Sequence, residues 1–313
     1  MTTADPIIFR PLKSLTLTDP QQTSLLRLAQ AGISVYSPHT AVDASPGGMG
    51  DWLCDVVTGC YPAAAAAGGA SASAGAGTST GETTNMAPQP EDDKGDIPIY
   101  PKPSLIGPKT PAQLAHTRST IHPHPSEPSP SQDETPGMGR LVTLHTPQPL
   151  RTILEHIATG TGLPSPSGIP VAVPQIVTTT DTITGTKPAG TDVGRIPIRT
   201  IGVCPGSGAG VLLKTPDGRM PDLLFTGEMS HHETLAAVER GSVVVAVRHS
   251  NTERGFLHAV MREALEGVVK KEWSSRVQDQ ASAQHEEILK DDQVLVQVSE
   301  MDRDPFGLLL RGV

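Results

Sequence analysis

One arrangement of candidate metal ligands occurs twice in the sequence. The apolar run Ile33-Ser34-Val35-Tyr36 leads through Ser37-Pro38 to His39, with Asp43 four positions on; the run Val243 to Val247 leads through Arg248 to His249, with Glu253 four positions on. Where a strand runs into a turn or a helix start, that spacing lets both side chains converge on the crevice at the carboxyl edge of a sheet, the place where open α/β proteins bind ligands. A His and a carboxylate from each half give up to four nitrogen and oxygen ligands and no thiolate, a set suited to zinc, manganese, iron or magnesium. The same residues have a plain structural use. His39 and His249 can end strands, while Asp43 and Glu253 can occupy the first turn of a following helix and complement its dipole. An H-x-x-x-D/E spacing is degenerate by itself, and its repetition at two matching strand ends keeps both readings open.

A second cluster is Thr226-Gly227-Glu228-Met229-Ser230-His231-His232-Glu233, behind the expected strand Asp222 to Phe225. Ser230 and Glu233 have capping-box spacing, so a helix should start here. Glu228, His231 and His232 are then candidates for general acid/base work or for supporting metal ligands. Adjacent helical residues point about 100° apart, so one of the two histidines at most faces a metal directly. Capping with solvent-facing histidines is the simpler alternative. The run Gly202-Val203-Cys204-Pro205-Gly206-Ser207-Gly208-Ala209-Gly210 is a glycine-rich turn after a strand. It fits neither the P-loop nor the dinucleotide fingerprint, which leaves close backbone packing or a tight turn as its expected role.

These residues need elements to position them, and the sequence supplies strands and helices in alternation. Asp19-Pro20 reads as a cap followed by proline at the first helical position, with Gly32 ending that helix. Strands are expected at Ile33–Tyr36, Leu141–Leu144, Val171–Val173, Thr200–Val203, Asp222–Phe225 and Val243–Val247. The last is almost continuously apolar, as a buried parallel strand should be. Thr146-Pro147 reads as a cap, and Leu150, Ile153, Leu154 and Ile157 then make one helical face. A longer helix is expected from Leu257 to Val269, and Val294, Val296 and Val298 alternate as a closing strand. The fold class is therefore α/β.

Composition bounds the function. The 313 residues include 31 Gly and 30 Pro but only 4 Phe, 3 Tyr and 2 Trp. The excess is concentrated: residues 60–136 hold 13 Pro and 7 Gly, run through an Ala/Gly/Ser/Thr stretch, and carry few large apolar side chains. Such sequence buries too little to offset its ordering entropy, so a disordered insert is expected at 60–136, with a shorter flexible loop at 178–195. No apolar run reaches the roughly 18–20 residues of a membrane-spanning helix. A net charge of −9 without a basic stripe argues against a nucleic-acid binder. Three scattered cysteines, Cys54, Cys60 and Cys204, form neither a disulfide framework nor a thiolate zinc site. Residues Met1 to Arg10 contain no secretory or transit-peptide pattern, which gives a cytoplasmic expectation.

Several of these segments carry a resemblance. "VYSPHTAVDASPGGMGDWL" (Val35 to Leu53), "GMGRLVTL" (Gly137 to Leu144), "CPGSGAGVL" (Cys204 to Leu212), "LLFTGEMSHHETLAAVERG" (Leu223 to Gly241), "HSNTERGFL" (His249 to Leu257) and "MDRDPF" (Met301 to Phe306) occur in this order. Together they resemble the NGG-interacting factor three family, whose bacterial members are catalogued as GTP cyclohydrolase type 2 homologues. The resemblance implies two related α/β lobes with mixed or parallel sheets around a di-metal cleft, assembled into trimeric or hexameric rings. It also implies Asp43, His249 and Glu253 as metal ligands, with His39 as a neighbouring or supporting group. Residues 1–59 are then the remainder of the first lobe, 60–136 the insert and 137–313 the second lobe. Family members carry an earlier strand and helix ending in a further ligand histidine. Here Asp5 stands at that position as a substitute ligand, so the expectation is a truncated start and an incomplete first lobe, which also leaves mitochondrial or nuclear placement open. The family's frequent middle domain is not evident; the low-complexity tract occupies its place. Two functions are expected on this basis: a metal-dependent hydrolase acting on a nucleotide-like or phosphorylated small molecule, or a non-catalytic interaction protein with a structural metal, a transcription-cofactor partner whose Pro-rich insert serves for docking.

Overall fold

The computed structural model describes residues 12–60, 112–125, 135–163, 168–174, 192–278 and 293–306. Three helices precede the sheet. In α1 (Pro20–Gln30), Asp19 accepts hydrogen bonds from the backbone of Gln21 and Gln22 and proline takes the first position, satisfying amides that have no helical partner. Helix α2 (Thr40–Ala44) is one short turn carrying Asp43. Helix α3 (Met49–Thr58) is apolar nearly all round, is buried along almost its whole length, and ends on Gly59 in the left-handed conformation.

The described strands form one six-stranded mixed sheet in the order β1-β2-β4-β5-β6-β3. They are β1 (His116–Pro123), β2 (Gly137–Pro149), β3 (Val171–Ala172), β4 (Pro197–Ser207), β5 (Leu223–Glu228) and β6 (Val243–Ala246). β4, β5 and β6 are parallel; β2 runs against β4 and β1, and β3 runs against β6. Side chains alternate between two faces. Val203, Leu223, Phe225, Val243 and Val245 share a core with α3 and with α4 (Leu150–Gly160). Cys204, Leu224 and Val244 face the opposite way, toward Leu212 of α5 (Ala209–Leu212) and Ala237 of α6 (His231–Glu239). Beyond β6 the described chain makes a 3-10 turn at Ser250–Thr252, α7 (Arg254–Phe256), a π-helical turn at Leu257–Met261, and α8 (Arg262–Gln278).

The α/β class holds, with five differences of detail. Ile33–Tyr36 is not a strand; a single bridge residue, Tyr36, remains there. Ile33 and Tyr36 are 45% and 66% exposed, so the run lacks the buried face that would reward pairing. The helix after β2 starts at Leu150 rather than behind Thr146-Pro147, because β2 pairs with β4 as far as Pro149. Residues 294–298 are extended without a strand partner among the described residues. The expected insert at 60–136 contains β1, which pairs with β2 from His116 to Pro123. The expected loop at 178–195 ends in an ordered 3-10 turn, Val193–Arg195, capped by Asp192. Residues 61–111 and 126–134 of the first segment and 178–191 of the second lie outside the described residues, as does Asp5.

The helices of residues 12–60 do not stand apart from the sheet. Arg140 of β2 is fully buried, with Nε 2.7 Å from Asp51 Oδ1 of α3 and Nη1 2.7 Å from the Gly137 carbonyl. Its Nη2 also donates to the carbonyls of Ala44 and Ser45 at 3.4 Å. One guanidinium thus fixes the end of α2 and the first turn of α3 to the start of β2.

Candidate functional site

His249 lies just beyond the end of β6, at the sheet edge reached by the carboxyl ends of β4, β5 and β6. Its ring stands between two carboxylates: Nδ1 is 3.2 Å from Glu228 Oε2 at the end of β5, and Nε2 is 3.4 Å from Glu253 Oε1. The His249 and Glu253 side chains are largely enclosed, 29% and 14% exposed, while that of Glu228 is half exposed. The carboxylate four positions on is brought to its histidine by a 3-10 turn at Ser250–Thr252, which folds the backbone back on itself.

The backbone that carries this trio is over-determined by hydroxyl bridges. The Gly206 amide donates to Thr252 Oγ1 at 2.9 Å, and the Thr252 hydroxyl donates to the His249 carbonyl at 2.7 Å. One strand over, the Gly208 amide donates to Thr226 Oγ1, whose hydroxyl donates to the Gly206 carbonyl, both at 3.0 Å. Both threonines are fully buried, so each hydroxyl is satisfied by donating and accepting. Gly206 has φ +58°, and a Cβ there would lie 2.8 Å from His249 Nε2 and 3.5 Å from Glu253 Oε1. The glycine-rich turn therefore does what close packing required of it: it leaves space in front of the His249–Glu253 pair.

The carboxy-terminal segment closes the other side. Asp304 Oδ2 accepts from the Ser250 amide at 3.3 Å, and Arg254 donates to the Asp302 carbonyl at 2.8 Å and to Asn251 Oδ1 at 2.6 Å. From α3, the Trp52 ring is packed so tightly on α7 that a Cβ on Gly255 would meet it at 2.5 Å.

The candidate residues separate into groups. His249, Glu253 and Glu228 are brought together. Asp43 stands at the same sheet edge, on the turn held by Arg140, and its charge raises the pKa of the buried Cys204 thiol in concert with the larger effect of burial. His39 is the residue before α2 and takes φ +48°. His231 and His232 are exposed at the start of α6, packed ring edge to face at 5.4 Å. The expected capping box forms here: Ser230 accepts from the Glu233 amide and Glu233 reaches back to the Ser230 amide. That reciprocal bond holds the Glu233 carboxyl below its ordinary range.

The roles of Arg140, Thr226 and Thr252 at this edge were not foreseen from sequence. For Arg140 a signal existed, an arginine between two glycines and an apolar strand; for the threonines there was none. Among the described residues no group of three or more His, Cys, Asp or Glu side chains converges as a full metal cage. What the residues do offer is a pair, His249 Nε2 and Glu253 Oε1, spaced as neighbouring ligands of one ion and uncovered by Gly206. A nitrogen and an oxygen donor suit a divalent cation of borderline hardness.

A sequence profile described as Duf34/NIF3 (NGG1p interacting factor 3) matches residues 3–283. The chain is 32% identical over 267 residues to the protein NIF3 homolog of Schizosaccharomyces pombe, covering 85% of this chain and 67% of the relative. It is 29% identical over 262 residues to NGG1-interacting factor 3 of Saccharomyces cerevisiae, covering 83% and 65%. The chain thus spans about two thirds of the length of these relatives. Its fold is similar to that of a Bacillus cereus protein related to NIF3, with a TM-score of 0.54 at 16% identity over 98% of this chain and 82% of the other. The profile match runs through both the helices before the sheet and the His249 edge, and the chain belongs to the Duf34/NIF3 family.

Proposed function

We propose that this protein is a divalent-metal-dependent hydrolase acting on a nucleotide-like or phosphorylated small molecule, with His249, Glu253 and Asp43 as its metal-holding residues. The observation that carries the reading is the placement of His249 between Glu228 and Glu253. If Nδ1–H donates to Glu228, Nε2 turns a lone pair toward the Glu253 carboxylate, and two acceptors face each other. A shared cation resolves that conflict, and the carboxylate behind Nδ1 sets the tautomer and orientation that a metal-binding histidine needs. A doubly protonated ring is the competing solution. Bound divalent ions would supply Lewis acidity and a lowered pKa for coordinated water. The chain's own groups would do the rest: Glu228 orients the ring, Gly206 keeps the approach open, and the half-exposed Glu228 carboxylate is the nearest proton acceptor. His39 and Asp5 would complete the set as supporting or substitute ligands. The proposal extends to two lobes around a di-metal cleft and to assembly into trimeric or hexameric rings, on the family resemblance, and to a cytoplasmic location, on the pattern of residues Met1 to Arg10.

Elemental analysis of the purified full chain tests this directly. Divalent metal should co-purify and should fall by more than half in His249→Ala, Glu253→Ala and Asp43→Ala, with hydrolysis of a phosphate-ester panel lost in parallel. Equal metal content in all four proteins would defeat the reading.

A second reading is favoured by one observation: the Saccharomyces cerevisiae relative is named an interacting factor. Here the metal would be structural and a protein partner would dock through the Pro-rich tract. Deleting residues 61–111, which spares β1, should then abolish a partner interaction while metal content stays unchanged.

A further inference from the structure

A cavity of about 440 Å3 opens beside the His249–Glu228 pair, at the end of β5 and β6 and against the edge strand β3. Val171, Ala172, Val244 and Met229 give it apolar walls, Glu228 forms the wall shared with His249, and Arg248 supplies its cation. Arg248 has φ +80°, a left-handed conformation that costs energy for any residue with a Cβ. The surroundings hold it there: its amide donates to the Gly227 carbonyl at 2.8 Å, and its guanidinium lies 5.0 Å from the centroid of the Phe306 ring. No carboxylate pairs with Arg248 among the described residues. Backbone strain of this kind gathers at ligand sites, where the fold trades stability for the aim of a side chain. A guanidinium stacked on an aromatic face keeps its N–H edges available, and those edges match two phosphate oxygens at once.

We propose that this cavity is the substrate-recognition pocket of the site, that its ligand is a small phosphate monoester, and that Arg248 binds the phosphate. The apolar walls take a flat or apolar body, and the volume lies within the range of small-molecule pockets, enough for a mononucleotide. Glu228 disfavours a second free anionic group at the far wall, so a monophosphate is preferred to a polyphosphate. The proposal rests on the hydrolase reading for the fate of the bound ester, but binding and metal content are separate readouts.

Titration calorimetry of the full chain with adenosine monophosphate, adenosine and inorganic phosphate is the test, with metal content measured on the same samples. Adenosine monophosphate should bind at least tenfold more tightly than adenosine. Arg248→Gly takes the left-handed backbone without strain, so its Tm should equal or exceed that of the wild type while its affinity for adenosine monophosphate drops at least tenfold. Arg248→Asn, which also tolerates this backbone, should lose the same preference. Adenosine bound as tightly as its monophosphate, or unchanged affinity in both variants, overturns the pocket. Metal-loaded protein with no affinity for the nucleotide defeats the pocket alone; nucleotide binding by protein that takes up no metal defeats the hydrolase reading alone.

Discussion

Arg140 and Asp51 meet at 2.7 Å with the guanidinium 1% exposed, and they join β2 to α3 across 89 positions of sequence. Removing one member of a buried pair strands the other charge, which costs about 3–5 kcal/mol. Asp51→Asn should therefore lower stability in urea denaturation by about 3 kcal/mol, toward the low end because the amide still accepts from Nε. The Arg118–Asp55 pair nearby, with side chains 21% and 34% exposed, is the contrast. Asp55→Asn should cost about 1 kcal/mol or less. Equal losses in the two variants would contradict the burial argument.

His156 makes stability depend on pH. Its ring is 2% exposed, and burial pushes its pKa below the ordinary 6.5 against the smaller opposing effect of the Val57 carbonyl, to which Nδ1 is hydrogen-bonded at 3.1 Å. The unfolded chain takes up a proton as the pH falls through about 6.5, whereas the folded chain resists until lower pH. This group's contribution is thus intact above that value and is lost progressively below it. His156→Gln should flatten the difference in urea midpoint between pH 7.5 and pH 5.5 relative to the wild type. An identical difference in both proteins would remove His156 as a cause.

Gly206→Ala tests the space before His249 and Glu253, the proposed metal ligands. The backbone conformation alone should cost about 1–2 kcal/mol. The new methyl would lie 2.8 Å from His249 Nε2, so metal content should fall well beyond what the modest loss of stability explains. Full metal occupancy in a folded Gly206→Ala protein would show that the open face is not where an ion binds.

The three cysteines should differ in reactivity. Burial pushes the Cys54 and Cys204 thiols up to about 12, so neither offers thiolate at neutral pH. Cys60 is only half buried. Iodoacetamide at pH 8 followed by mass spectrometry of the native protein should show one label, on Cys60, and three only after unfolding.

How much of this could be read from sequence depended on how local each cause was. The Ser230–Glu233 capping box, the Asp19-Pro20 helix start and the apolar run of β6 are each set by a few neighbouring residues, and all three formed as read. Ile33–Tyr36 has strand composition, but a strand exists only where a partner exists, and the sheet does not extend there. β1 was hidden for the opposite reason: His116–Pro123 buries only Ile121 fully and looks like its polar surroundings, yet β2 gives it a ladder. At the site, the His249–Glu253 spacing was legible because a single turn closes it. The role of Glu228 on His249, and of Thr226 and Thr252 behind the glycines, depends on which strands lie side by side. That ordering is not written in any one segment.

The contact between Trp52 and Gly255 has a dynamic consequence. The turn bearing His249 and Glu253 runs directly into α7, and α7 is wedged against a residue from the far end of the chain. The turn cannot swing outward unless α3 first leaves the sheet, so the two must open as one cooperative unit. In hydrogen exchange, the amides of Gly255 and Phe256 should share the protection of Leu53 and Cys54, and a substitution that loosens α3 should release all four together. The chemistry proposed for this edge is thereby tied to the integrity of a helix that contributes no reacting group to it.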